Sequence, residues 1–439
     1  MTTSTQKFPY TPRAKGLPYG VGTLSGGWVF LLLVLLALTG LGVYAYSQQL
    51  VQGEIVTGMR DIGTRAGAPW GLYIAFVVYF EGVSFAGIGL AAIIRLLNLD
   101  HLKPIARMAE VITIVSLVLA GLGVIADVGQ PGRALVNLLK YARPGSPFFG
   151  TFTVAIVGFL IGALVYTYLD GRRDAAIMAQ FPGKLQGFYR WWAAGYQDTP
   201  AEQKRHETAS FWLAIALIPL LVVAHTTLGF VFGLQVGRPG WFGALQAPGF
   251  VALAGVSGVG HVIVLAAILR KVLHQEEKIN MDIFRWLGNL LMGLTGAYLY
   301  FMVVEWLTSI YAAHAAESKL MNALFLGEYA WIFWTSVAFL VIPFALLIWQ
   351  FVTRKYSLGW LVLSSVLVNL AAIGKRYLIV IPSQTHGTLL PYPTGTYSPT
   401  WVEYGVVIGL MALGALIYIL FMKIFPIMEV DAPLSESEA

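Results

Sequence analysis

Among the ionisable residues inside, or at the ends of, long apolar runs of this chain are Glu81, Asp127, His225 and Arg376. A charge at the centre of a bilayer costs roughly 2.5–3.5 kcal/mol on insertion scales, so such residues need a partner or a task. A carboxylate and an imidazole can exchange protons near neutral pH. A guanidinium can stabilise negative charge developing on an oxygen. Together, under a membrane surface and among apolar helices, they suit a quinone, whose interconversion with quinol moves two electrons and two protons at two ring oxygens. The isoprenoid tail asks only for apolar surface.

Each residue also has a packing-only explanation. Asp127 precedes Val128-Gly129-Gln130-Pro131-Gly132, a helix-ending sequence, and reads equally as a solvated helix end. Glu305 closes another run with Thr308 and Ser309 on its face, which favours solvent exposure. His225 fits a satisfied core histidine, but Pro219 loosens the same helix and frees a carbonyl, which suits a pocket. Glu81 lies deep in an apolar run among Gly82, Gly87 and Gly89, and Arg376 is its expected countercharge. In Ser364–Pro382, helical spacing places Arg376 on a stripe with Asn369 and Ser365, facing the protein. Lys375 shares a stripe with Val368, Ala371 and Ile379 and is expected to snorkel to the headgroups.

The elements that position these residues are membrane spans. Of 439 residues, 57% are hydrophobic and 11% charged, with a mean hydropathy of +0.72. Several apolar runs exceed the roughly 18 residues that mark a spanning helix. The fold class is an all-α polytopic membrane protein. Spans are expected at 27–46, 70–97, 105–126, 148–169, 210–234, 248–272, 283–306, 326–351, 358–381 and 401–425. Residues 1–26 form a polar N-terminal segment, uncleaved; 170–209 a loop carrying interfacial helices; and 426–439 an acidic tail, without evident structure from Glu429 on. Nineteen lysines and arginines fall on the side of the termini and seven on the other, which predicts both termini in the cytoplasm. The net charge of +6 therefore describes orientation, not affinity for nucleic acid. Without cysteine the chain cannot ligate an iron–sulfur cluster by thiolates, so electrons must pass to another subunit at the outer face.

Several short motifs resemble the NrfD-like membrane subunits of polysulfide reductase and its relatives. They are Pro69-Trp70-Gly71-Leu72-Tyr73 with Glu81, His225-Thr226-Thr227-Leu228-Gly229-Phe230, Arg238-Pro239-Gly240-Trp241-Phe242, Ala247-Pro248-Gly249-Phe250 and Arg376-Tyr377-Leu378-Ile379-Val380-Ile381-Pro382. Ten spans are similar to the branch with the quinol subunits of alternative complex III and the sulfite-reductase-linked and hydrogenase-linked membrane subunits. The resemblance implies two four-helix bundles, spans two to five and six to nine, with two flanking helices. Gly82-Val83-Ser84, echoed by Gly255-Val256-Ser257, is a faint internal repeat of that kind.

The resemblance further implies a quinol-oxidising or quinone-reducing subunit in a bacterial or archaeal plasma membrane. It would take menaquinone or ubiquinone as substrate and hold no prosthetic group. Its partner would be a ferredoxin-like iron–sulfur subunit on the periplasmic face, with a molybdopterin or cytochrome subunit beyond. Asp127, His225 and Arg376 match positions of the quinone pocket, and Glu81 joins them on burial. Glu110, His261 and Asn369 are expected to mark an inner-half proton route, if protons are translocated. Two other classes stay open. A haem-b anchor would use His225 and His261, whose depths differ by roughly 6 Å at 1.5 Å per residue. A secondary transporter would break its helices at matching prolines, of which Pro219 and Pro343 are the candidates.

Overall fold

A computed structural model describes residues 17–59, 68–141, 143, 145–146, 153–312, 314–386 and 397–430. Among these, ten helices are long and apolar enough to cross a membrane, and no strand occurs. In order they are α1 (Gly26–Gln52), α2 (Leu72–Leu96), α3 (Lys103–Asp127), α5 (Thr153–Met178), α7 (Pro200–Gly233), α8 (Gln246–Val272), α9 (Met281–Ala312), α11 (Ala330–Thr353), α12 (Leu358–Val380) and α14 (Trp401–Ile424). Shorter helices lie between them: α4 (Pro131–Tyr141), α6 (Gln186–Ala193), α10 (Ala315–Phe325) and α13 (Pro382–Thr385). The chain is an all-α, multi-pass integral membrane protein.

Local sequence sets several boundaries. Thr199 and Glu202 form a capping box with Pro200 in the first turn of α7, and Thr400 with Glu403 does the same for α14. Pro382 has no backbone N–H and so cannot continue the hydrogen-bond ladder; α12 ends at Val380, Ile381 stays helical in its dihedrals, and α13 follows directly. Both α7 and α11 continue unbroken through Pro219 and Pro343, unlike the interrupted helices a transporter would need.

Packing closes two rings. In one, α2 packs on α3, α3 on α5, α5 on α7 and α7 on α2; in the other, α8, α9, α11 and α12 do likewise. The rings meet through α2 against α8 and α12, and α7 against α8. Helix α2 is consequently buried nearly all round, which its unbroken apolar sequence allows. The second copy of the repeat marks that seam. A Cβ on Gly258, next to Ser257, would lie 2.8 Å from the carbonyl oxygen of Val83 and 2.9 Å from the backbone nitrogen of Ala86, so only glycine permits this approach. Ser84 and Ser257 each donate to the carbonyl three residues back, at 2.6 and 3.1 Å. Outside the rings, α1 pairs with α14, and α14 leans on α3.

The segments expected to be loop and tail are more ordered than their composition suggests. Helix α5 runs on to Met178 and α7 starts at Pro200, so only α6 lies between. Trp192 of α6 stacks on Phe425 at 4.2 Å, and Tyr189 donates to the carbonyl of Ile424. Residues 425–428, just before the part of the acidic tail expected to lack structure, are buried; most of that part, 431–439, and residues 1–16 lie outside the described residues. The cause is Arg107, buried in α3 and paired to Asp174 at 2.6 Å and Asp170 at 2.9 Å. Its remaining donor capacity reaches the carbonyls of Pro426 and Met428, both at 3.2 Å, and straps the tail across the bundle end. Lysine at 107 keeps the charge but not the planar fork. Arg107→Lys is expected to lower unfolding stability by about 1.5–3 kcal/mol, the worth of hydrogen bonds to charged groups. Thermal unfolding in detergent would reveal it as a lower midpoint; an unchanged midpoint would show that the tail is not held this way.

Candidate functional site

Where the two rings meet, three of the residues singled out in the sequence come together. His225 on α7 places Nε2 3.2 Å from Glu81 Oε1 and 2.9 Å from the backbone oxygen of Glu81 on α2. Its Nδ1 faces the carbonyl of Leu221 at 2.8 Å. Both ring nitrogens thus face oxygens. Only an imidazolium donates to both carbonyls at once; a neutral ring donates to one of them. The ring is held by the two backbone carbonyls, and the Glu81 carboxyl lies beside Nε2 with neither of its oxygens taking a hydrogen bond from the described residues. Phe85 packs edge-on against the ring at 4.8 Å and keeps it dry. A haem axial ligand would need a ring nitrogen free of such partners, so His225 does not fit that role.

Arg376 on α12 is 2% exposed and enters the same seam. Its guanidinium lies over the Phe250 ring at 4.2 Å, and Nη2 donates to the carbonyl of Phe250 at 3.3 Å. Nη2 also lies 3.5 Å from where a Cβ on Gly82 would be, beside the backbone of Glu81. Among the described residues no carboxylate comes within 4.0 Å of Arg376, and its buried Nη1 has no protein acceptor. The expected Glu81–Arg376 ion pair is replaced by Glu81–His225. The guanidinium keeps a donor for something else. Arg376 lines a small cleft of about 20 Å³ between α8, α9 and α12, with Gln246, Phe250, Tyr298, Met302 and Glu305.

Lys375 does not snorkel. It is 7% exposed, with Nζ 5.6 Å from the centroid of the Phe333 ring, because α11 and α9 cover the stripe expected to face lipid. Glu305 is no solvated helix end either: its Oε1 accepts from Gln246 Nε2 at 2.9 Å. Two residues of this cleft, Tyr298 and Gln246, are not singled out by sequence reasoning. Tyr298 precedes Glu305 by seven residues, two helical turns, so a greater weight on Glu305 would have found the shared face.

Asp127 is placed elsewhere. It ends α3 in the corner that α3 makes with α1 and α2, where Gln49 donates to Ala126 O at 2.8 Å and Tyr73 donates to Gln49. The residues expected in the inner half divide. His261 and Asn369 meet at Tyr79, whose hydroxyl donates to Asn369 Oδ1 at 3.1 Å and whose ring lies 5.9 Å from the imidazole. Glu110 instead lines a cavity of about 520 Å³ at the opposite end of the first ring, with Arg95, Asp170, His206 and Glu429. Burial, reinforced by the nearby Asp170 charge, pushes the Glu429 carboxyl above its usual range.

The short motifs converge above Arg376 in an aromatic roof. Trp70 stacks on Trp241 at 5.7 Å, and Phe232 bridges Trp241 and Phe250 at 5.0 and 5.4 Å. Trp241 Nε1 donates to the carbonyl of Ile379, and Gln384 clasps the backbone of Trp70 at 2.8 and 3.1 Å. Residues far apart in the chain thus shield one buried guanidinium from water.

Residues 61–387 match the family described as polysulphide reductase, NrfD. The chain is 29% identical to a putative dimethyl sulfoxide reductase membrane subunit of Halobacterium salinarum, over 92% of each chain. It is 26% identical to a selenate reductase subunit of Mesobacillus selenatarsenatis, over 84% of this chain and 88% of that one. It is also 24% identical to an Hdr-like menaquinol oxidoreductase integral membrane subunit of Archaeoglobus fulgidus, over 90% and 92%.

Proposed function

The chain belongs to the NrfD polysulphide reductase family, and on that footing we propose that it is the quinone- or quinol-handling membrane subunit of a respiratory oxidoreductase. The observation that carries this is the buried Arg376, which lines a cleft beneath an aromatic roof and whose Nη1 has no protein acceptor among the described residues. A quinone oxygen is the acceptor that completes it. Charge developing on that oxygen is stabilised most where water is excluded. Tyr298 bounds the headgroup, and the Glu81–His225 pair lies on the far side of the guanidinium as a proton store. The relative named for menaquinol oxidation supports menaquinol among the quinols.

Electrons leave to an iron–sulfur subunit docked over the aromatic roof, because this chain has no thiolate of its own. The excess of cations beside the termini supports an inner-membrane orientation with both ends cytoplasmic and the roof outward. Glu110 at its inner cavity, and His261 with Asn369, support proton movement from the inner side in two separate patches.

A fluorescent hydroxyquinoline N-oxide, which mimics a quinol headgroup, is expected to be quenched at one site per chain in the assembled complex and released by added menaquinol. No saturable, quinol-competed quenching would remove the proposal. Tyr298→Phe is expected to raise KM for quinol by roughly 2- to 10-fold with kcat little changed, the range of one neutral hydrogen bond. Steady-state kinetics against quinol concentration would check it.

A further inference from the structure

Oxidising a quinol releases two protons from two ring oxygens, and the Glu81–His225 pair lies on only one side of Arg376. On the other side, the cleft that holds Arg376 abuts a second cleft lined by Lys375, Trp241, Phe333 and Ser383. The two clefts share Glu305 and Ile379. The division follows from the helix. Side chains of Lys375 and Arg376 diverge by about 100°, and Ile379, one turn further on, fills the angle between them. Glu305 on α9 faces both clefts. Gln246 holds its carboxyl by donating to Oε1 at 2.9 Å while also donating to the carbonyl of Gly240. Gly240 is in turn pinned by its N–H on Glu317 of α10 at 2.9 Å.

Resting on the quinone reading above, we propose that Glu305 is the second proton-exchange carboxylate of the site, carrying protons between the Arg376 cleft and the outer cleft beneath Trp241 and Lys375. In the oxidising direction a quinol hydroxyl gives its proton to the Glu305 carboxylate. The electron pair leaves the ring, one electron at a time, to the iron–sulfur acceptor of the partner subunit. The carboxylic acid then turns its proton out to water in the Lys375 cleft; quinone reduction runs the same steps backwards. The groups facing Glu305 are Gln246 on α8, Tyr298 on its own helix, Glu317 on α10, and Lys375 and Arg376 on α12; α11 presents Phe333. Lys375 supplies positive charge on the outer side of the carboxylate, while Arg376 serves the quinone oxygen in the other cleft, so the two cations do not compete for one oxygen.

The test uses the assembled complex with Glu305→Gln and Glu305→Asp. Glu305→Gln is expected to lower quinol-dependent kcat by roughly 10²-fold or more, with hydroxyquinoline N-oxide affinity within about twofold of wild type. Glu305→Asp is expected to restore much of the rate and to displace the kcat–pH profile. Wild-type kcat in Glu305→Gln would overturn the proposal, as would a loss confined to KM. If the amide variant does not assemble, Glu305→Asp carries the test, and an unchanged pH profile overturns it. Failure of this inference alone would leave Arg376→Ala inactive; failure of the quinone reading would leave both variants active.

Discussion

Arg376→Ala is expected to lower quinol-dependent electron transfer in the assembled complex by roughly 10²–10³-fold, the usual cost of removing one donor to a developing oxyanion. Stability should fall, but with the complex still assembling. No carboxylate within 4.0 Å would be orphaned among the described residues, and the substitution removes one carbonyl hydrogen bond of 3.3 Å and the stacking on Phe250. Those two interactions amount to about 2–5 kcal/mol. A structural arginine would give the opposite pattern, with assembly failing before turnover is measured. Arg376→Lys should recover little, because a point charge replaces the planar fork that puts Nη2 on Phe250 and leaves Nη1 free. The measurement is turnover with menaquinol alongside quenching of the N-oxide probe. Wild-type turnover and affinity in Arg376→Ala would sink the proposed site altogether.

Glu81→Gln is expected to reduce turnover by roughly 10²–10⁴-fold, the range of a lost general acid or base, or about 3–5 kcal/mol at 1.36 kcal/mol per tenfold. The amide is close in shape and leaves His225 its 2.9 Å contact with the backbone oxygen of residue 81. The substitution opens no cavity, and with a neutral imidazole beside it the amide orphans no charge, so the unfolding temperature should stay close to that of the wild type. Loss of rate with retained stability separates a proton-handling role from a packing role. Reduced stability together with full turnover would assign Glu81 to structure instead.

Much of the architecture was legible because the bilayer imposes it. A span needs about 20 apolar residues whatever its neighbours, so each expected run found its helix, although α5, α7 and α9 extend past the apolar limits where charged turns continue the helix. Polar residues inside such runs announced themselves for the same reason. Helical periodicity also turned Arg376 inward correctly. The same periodicity fails for Lys375, since the stripe opposite Arg376 reads as lipid-facing whereas α9 and α11 cover it. Glu305 looks solvated from its neighbours Thr308 and Ser309, yet the side chain that binds it, Gln246, is 59 residues away.

The amino-acid sequence by itself determined the ten-span class, the family and the short roster of polar residues that a membrane interior would not tolerate idle. Only the tertiary structure decided the partnerships. It set Glu81 beside His225 instead of Arg376, put Asp127 in a separate corner with α1, parted Glu110 from His261 and Asn369, and brought Glu305 to a cleft that Arg376 also lines. The reason is that apolarity and periodicity act within one helix and fix its depth and its polar face. Which helix stands opposite that face depends on how small residues such as Gly258 let particular pairs close together, a property of two surfaces at once.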